Sequence, residues 1–512
     1  MIIYTKKDAA IIIPCGLGPS VCPDVSHDLQ MKTVDSSTVL QHIEPDSGYY
    51  GLSSVTVNPY TVESDSSTLT ENGTYTFTPT NADTLSSVTV DVSVNNWIEE
   101  VREGRLTDIS GYSIAELARK QYGAAGLFMG SSITTLPRIQ DSVDNPNSDV
   151  NFGSLRQTFY NCGSLRNVDM SIGRIGRYGM YQCFSQSSVR DVSINVNEMD
   201  SNGAFTFATF AECFRNSPYL RNLYINLGPD ASIAGFNAFI KMCYNVCNSS
   251  NENYNTTITI EGLKEVYFNA LFSAFSEMHA NNSGGITVNL PDNLSTIRGT
   301  QTNEAFGYIC SNSHLTGKTT PSFFGKLDYI QGNINCYYAF SYTDVETATL
   351  GFNTCIGNSN FSYAFNSCNN LKSVTFDGSF NITGEGNFAY TFNGCGSLTS
   401  MTCTSTAGTK PFRYNNENNV ANSATNITDV TIDNVNSDVY LLWNPSVNAA
   451  SVYGILSKAT GATVQEGDTR TISFYKSGLT VKDYSDGRIQ TAYNAAVADG
   501  WTINNLTITP FS

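Results

Sequence analysis

The sequence predicts a mainly β protein with short helices: a parallel-stranded solenoid preceded by two small β modules. Three observations carry that prediction. A Phe-x-x-Cys-x-x-Leu-x-x-apolar template recurs at intervals of a few tens of residues, the spacing expected of stacked coils. A short run of alternating apolar residues follows most copies. Ahead of the array a different unit, Leu-Ser-Ser-Val-Thr-Val, stands twice.

Taken in chain order, residues 1–30 match neither pattern. Cys15-Gly-Leu-Gly-Pro-Ser-Val-Cys22-Pro is punctuated by Gly and Pro, which disfavours regular structure. We read this stretch as an extended arm that orders against a partner. The modules follow at 31–62 and 63–96. Asp35-Ser-Ser-Thr38 heads the first and Asp65-Ser-Ser-Thr68 the second. Leu52–Val57 recurs as Leu85–Val90, an offset of 33 residues. Turns are expected at Pro45-Asp-Ser-Gly48 and Glu71-Asn-Gly73.

The array spans 97–448, with Trp97-Ile-Glu-Glu-Val101 expected to open its N-terminal cap. Three copies follow the template closely. They are Phe159-Tyr-Asn-Cys162-Gly-Ser-Leu165-Arg-Asn-Val168, Phe365-Asn-Ser-Cys368-Asn-Asn-Leu371-Lys-Ser-Val374 and Phe392-Asn-Gly-Cys395-Gly-Ser-Leu398-Thr-Ser-Met401. Looser copies centre on Met180-Tyr-Gln-Cys183, Phe210-Ala-Glu-Cys213, Phe239 with Cys243, and Phe306 with Cys310. The intervals Cys162–Cys183, Cys183–Cys213, Cys213–Cys243 and Cys368–Cys395 are 21, 30, 30 and 27 residues. Each copy is expected to hold a helical-turn half carrying Phe and Cys, then a short strand. Phe159, Cys162, Leu165, Val168, Cys183, Cys213, Phe365, Cys368, Leu371, Phe392, Cys395 and Leu398 form the expected structural spine. A repeat of this size buries its apolar face only by stacking on its neighbours. Cysteine suits such a spine as a small buried hydrophobe, so the thiols are expected to be reduced and structural. Coil boundaries within 248–360 are not fixed by the pattern. Residues 449–512 read as an αβαβ cap: helix 449–460, strand 469–475, helix 487–498 and a last strand from Gly500-Trp501 to Ile508.

Composition narrows the function. Charged residues make up 14% of the 512, against roughly 25% in typical domains, so Ser, Thr, Asn and Gly must wet the surface. With 28 basic and 45 acidic residues the net charge is −17. Such a chain is poorly equipped to displace counterions from phosphates, which argues against nucleic-acid binding. No run of about 18 apolar residues occurs, so no membrane insertion is expected. The short apolar run Ala9–Ile13 ends in Pro14 and does not resemble a secretion signal.

No catalytic, cofactor-binding or metal-ligating set emerges. The four histidines, His27, His42, His279 and His314, show no metal spacing or triad company. Cys15 and Cys22 are too far apart for a Cys-x-x-Cys pair. Glu99-Glu100 and Asp144 with Asp149 read as solvated loop charges. Asp144-Asn-Pro-Asn-Ser-Asp149 lacks the spacing of a calcium loop. The expectation is a protein that is not an enzyme and needs no cofactor.

The Phe-x-x-Cys-x-x-Leu-x-x-Val template resembles the BspA-like leucine-rich repeat, over roughly 97–512. The stretch Asp46-Ser-Gly-Tyr-Tyr-Gly-Leu-Ser-Ser-Val-Thr-Val57 is similar to a motif near the start of tail and capsid appendages of gut bacteriophages, crAss-like phages included. Together the resemblances imply a structural virion protein, a head or tail fibre. It would be made in the bacterial host cytoplasm and carried on the virion surface. Residues 1–30 would be a virion-docking arm, and 1–96 would meet other capsid or tail proteins. The repeat domain would face outward and adhere to a host-surface glycan or protein. A homo-trimer is expected, with a dimer as its rival. A bacterial BspA-like surface adhesin and a glycan depolymerase are the alternatives.

Overall fold

The computed structural model describes short strands within residues 1–96 and most of 97–512. Outside the described residues lie, in the second part, 140–148, 200–207, 249–253, 280–283, 299–305, 323–326, 378–385, 405–423 and a few shorter stretches. The chain is mainly β with few short helices, and its repeats form a parallel β-solenoid. It divides into two compact units, Met1–Glu198 and Met199–Ser512.

In the first unit the first Leu-Ser-Ser-Val-Thr-Val copy and the Val88-Thr89-Val90 end of the second fall in different antiparallel sheets. Gly51–Val57 pairs with Ile43–Gly48 on one side and Tyr60–Val62 on the other. Val88–Asn96 pairs with Gly73–Phe77 and with His27–Thr33. The strand His27–Thr33 thus joins the sheet of the second copy, and the sheet of the first copy lies between them in sequence. The expected turn at Pro45–Gly48 is a strand, bulged between Pro45 and Ser47. The helix Trp97–Arg102 follows and buries Ile98 and Val101. A second short helix, Ala115–Arg119, buries Leu117 and Ala118. The coil strands Asp149–Val150, Asn167–Ile175 and Asp191–Met199 then lie side by side in that order. Asn167–Met170 and Asp191–Val196 alternate outward and inward residues, the period-two signature of a strand with one buried face.

The other half of each coil departs from expectation. It is not helical but a ribbon of consecutive tight turns. In the coil around Phe159 the N–H groups of Ser154, Arg156, Thr158 and Tyr160 donate to carbonyls three residues back, at 3.1–3.2 Å. The N–H groups between them, on Gly153, Leu155, Gln157, Phe159 and Asn161, donate to the next coil at Arg177, Gly179, Tyr181, Cys183 and Ser185. Every fourth residue is left-handed: Gly153, Gln157 and Asn161 have φ of 61°, 56° and 57°. The resulting period is four, not 3.6. Ser154-Leu155 and Thr158-Phe159 point in, whereas Arg156-Gln157 and Tyr160-Asn161 point out. A helix would spend all its donors within the segment. The ribbon instead gives half of them to its neighbour, so no buried amide is stranded and adjacent coils are tied together.

The second unit repeats this plan. Asn222–Asp230, Thr256–Glu261 and Ile286–Asn289 pair in parallel. So do Thr347–Gly351, Ser373–Asp377, Ser400–Cys403 and Asp429–Ile432. A further parallel run links Ile233–Ala234, Glu265–Tyr267, Thr296–Arg298 and Leu327–Gln331. The long strand Thr347–Ile356 joins two of these runs: its first half pairs with Ser373–Asp377, and its second half with Leu327–Gln331. One sheet of eight strands results. Phenylalanines stack along the interior, Phe340 on Phe365 at 5.2 Å and Phe365 on Phe392 at 5.5 Å between ring centroids.

All twelve expected spine residues are buried, at 2% exposure or less. They do not share one register, however. Cys162, Cys368 and Cys395 sit three residues after a spine phenylalanine, and each donates its S–H to the carbonyl of the phenylalanine one coil back. The acceptors are Phe128, Phe340 and Phe365, at 3.2, 3.1 and 3.1 Å. Ser187 and Ser313 do the same with Phe159 and Phe275. Cys183 lies instead beside Thr158, one residue before Phe184, because Phe159 N donates to Cys183 O. Phe214 N donates to Met242 O and Cys243 N to Ala274 O, which sets Cys243 in the phenylalanine column and Cys213 one place before it. The template is ambiguous here because the ribbon has an inward apolar position every four residues. Met180-x-x-Cys183 and Phe184-x-x-Ser187 both satisfy it.

The tail expected as αβαβ holds two helices, each followed by two short strands. Helices Ala449–Ala459 and Arg488–Ala498 alternate with the parallel strands Thr471–Ser473 and Thr502–Asn504. Two further strands, Leu479–Lys482 and Leu506–Thr509, pair in parallel beside them. Gly500 has φ of 91°, a backbone state that L side chains resist, and its turn drives Trp501 inward. The buried indole N–H donates to Ala459 O at 2.9 Å.

Candidate functional site

Four consecutive ribbons of the second unit share a pattern: Phe306-Gly-Tyr308-Ile-Cys310-Ser-Asn-Ser313, Cys336-Tyr-Tyr338-Ala-Phe340-Ser-Tyr-Thr343, Phe361-Ser-Tyr363-Ala-Phe365-Asn-Ser-Cys368 and Phe388-Ala-Tyr390-Thr-Phe392-Asn-Gly-Cys395. The flanking apolar residues turn in. The central tyrosine takes the left-handed outward position, with φ of 53°, 54°, 57° and 56°. Its ring therefore stands over the same point of every coil. Tyr308 stacks on Tyr338 at 5.2 Å, Tyr338 on Tyr363 at 4.9 Å and Tyr363 on Tyr390 at 5.0 Å, with interplanar angles of 8–16°. Tyr337 packs edge-on against Tyr338 at 4.4 Å. Offset stacks of this kind hold rings rigidly.

Three residues further on, the positions are polar, with Ser341 and Asn366 buried and Ser311 and Asn393 half-buried. Ser311 and Ser341 hydroxyls meet at 2.8 Å, and Asn393 donates to the Asn366 side chain at 2.7 Å. The next, left-handed position holds Asn312, Tyr342 and Ser367 on successive coils; Tyr342 is 60% exposed, and its backbone N–H is tied to Asn366 O. The four ribbon segments contain no Asp, Glu, Lys, Arg or His, on a chain whose net charge is −17. Burial among its neighbours, aided by Tyr337, pushes the Tyr338 phenol up to about 12, so that hydroxyl stays neutral across ordinary pH. The arrangement is a rigid, uncharged strip of phenol edges, hydroxyls and amides. It offers hydrogen bonds and one open aromatic face; it offers no acid, base or nucleophile.

Other chemically suggestive groups are committed to structure. Thr256 bridges His279 Nε2 at 2.8 Å and Cys247 Sγ at 3.2 Å, a Cys–Thr–His chain in outline. Both ends are buried, and the Cys247 thiol donates to Leu220 O. Of the carboxylates in the cap, Asp438 accepts from the N–H groups of Thr469 and Thr471. Asp483 accepts from Ile489 and Gln490 at the start of the last helix. Glu100 is bound by Arg105 at 2.7 Å, which holds its carboxyl below the usual range. Burial pushes the Cys162 thiol up to about 11 and raises Cys243 well above its ordinary value. The ten cysteines described are thiols, all buried. The side chains of Cys15, Cys22, Cys355, Trp97, Glu99, Asp144 and Asp149 lie outside the described residues. Among the described residues no three His, Cys, Asp or Glu side chains converge on a metal-sized site, and no helix is long and apolar enough to cross a membrane.

The tyrosine strip was not among the residues singled out from sequence. Its signal is the extension of the template four residues upstream, Phe-x-Tyr-x-Phe, legible at 361–365 and 388–392. No family model matches this chain, and neither a curated protein nor a solved structure is similar to it.

Proposed function

We propose that this chain is a structural adhesion protein of a bacteriophage virion, a head or tail fibre whose repeat domain is displayed outward to bind a host-surface glycan. The observation that carries the binding half is the uncharged Tyr/Ser/Asn strip at 306–395. Tyrosine supplies rigid amphipathic contact at low entropic cost, and Ser and Asn supply adaptable hydrogen bonds, the chemistry that paratopes use. A neutral strip on an acidic chain favours a neutral, hydroxyl-rich ligand. The virion half rests on the resemblance of Asp46–Val57 to phage appendage proteins, and on the separate β sheets that precede the coils. In this reading residues 1–96 attach to capsid or tail proteins and the coils carry no catalytic role. The β-edge strands near the N-terminus are where subunits would meet, as a trimer.

Mass spectrometry of purified virions is the test. The chain should be found at a fixed stoichiometry with capsid or tail proteins. A fragment of residues 97–512 should remain soluble, melt cooperatively and fail to join particles. Absence of the chain from virions, or incorporation of 97–512, would overturn the assignment.

A further inference from the structure

Resting on the adhesion reading, we infer that the strip takes an unbranched, uncharged β-1,4-linked glycan laid along the solenoid axis, with one sugar to each coil. The tyrosine rings repeat at 5.2, 4.9 and 5.0 Å, the advance set by parallel backbone pairing between coils. An extended β-1,4-linked chain of glucose or N-acetylglucosamine advances by close to the same distance per sugar. Ligand and ladder therefore keep register over the four coils; because successive β-1,4-linked sugars are turned over, the same edge of the ligand meets the ladder at every second coil. An α-linked helical glycan, or a branched one, loses register after a single step.

The stack also decides which atoms make contact. Tyr338 and Tyr363 have both faces covered by neighbouring tyrosines, so they present edges and neutral hydroxyls to sugar hydroxyls. Tyr342 joins no ring stack among the described residues and is exposed. Its face is the platform on which a pyranose ring rests, with the half-buried Asn312 and Ser367 at the same left-handed position of the coils on either side. The absence of charge across these ribbons selects against sulfated and uronic polymers, whose charges would be desolvated without a partner.

The experiment is calorimetric titration of the full chain with cello- and chito-oligosaccharides of two to six sugars, and with maltohexaose. Affinity should rise about tenfold, a difference of about 1.4 kcal/mol, from the disaccharide to the tetrasaccharide, and then level off. Maltohexaose should bind at least about tenfold more weakly than either β-linked hexamer. Tyr342→Ala should lower affinity for the β-linked tetramer about tenfold with an unchanged melting temperature, and Tyr342→Phe should retain it. Equal affinity for α- and β-linked hexamers, or affinity independent of length, overturns the axial register. A glycan array then separates the two failures. Binding confined to branched glycans overturns this inference and leaves the adhesion reading standing, whereas binding to no glycan at all overturns both.

Discussion

The buried carbonyls of Phe128, Phe340 and Phe365 explain why cysteine recurs in these coils. Each accepts an S–H from the next coil. Serine serves the same acceptor at Ser187 and Ser313, so the position asks for a small donor and not for sulfur chemistry. Cys368→Ser is expected to cost less than about 1 kcal/mol. Cys368→Val fills the site without a donor and should cost about 1–3 kcal/mol; urea titration of both variants measures the difference. At the surface, Glu346 is held at about 2 by the Lys372 hydrogen bond, with Lys318 bonded at 3.0 Å on its other side. Its folded value lies below the ordinary 4.5. Its contribution is therefore complete above about pH 4.5 and is lost as pH falls through about 2. Glu346→Gln should lower the melting temperature at neutral pH, and that deficit should vanish near pH 2. A deficit of the same size at both pH values would show that the ion pairs contribute nothing.

At the scale of the element, the strands and the tail were legible and the ribbons were not. Alternating runs such as Val168-Asp-Met170-Ser-Ile172 betray strands because one face is buried and the other is wet. Helix Ala449–Ala459 falls within the helix read at 449–460, and its first turn is capped by Asn448, whose side chain accepts from Ser451 N. The ribbon has a period of four, close enough to 3.6 that a ten-residue segment passes for helix. Its inward apolar position also recurs every four residues, so a template spanning three residues slides onto either of two sites. That is why Cys183 and Cys213 seemed equivalent to Cys162. The tyrosine strip escaped for a related reason: an outward tyrosine between two inward phenylalanines looks apolar throughout until the turn geometry is known. The left-handed positions give the ribbon its own test. Gln186 is exposed with φ of 60°, a state costing an L residue about 1–2 kcal/mol. Gln186→Gly should raise stability by about 0.5–1 kcal/mol and Gln186→Val should lower it by more. In a helix the order would be reversed, since glycine costs about 1 kcal/mol there.

For the whole molecule, the solenoid converts a local repeat into a continuous surface. Each of the four coils adds one tyrosine edge, the first two and the last two each share one small polar pair, and three or four ribbon N–H groups of one coil donate to the next. Four in register make a strip long enough to hold a polymer. The most direct test is binding of the fluorescently labelled full chain to a panel of gut bacterial isolates, measured by flow cytometry. The account predicts that at least one isolate is stained, that periodate oxidation of its surface glycans abolishes staining, and that Tyr342→Ala reduces it about tenfold. Staining that survives both periodate and the Tyr342 substitution, or staining of no isolate, would contradict it.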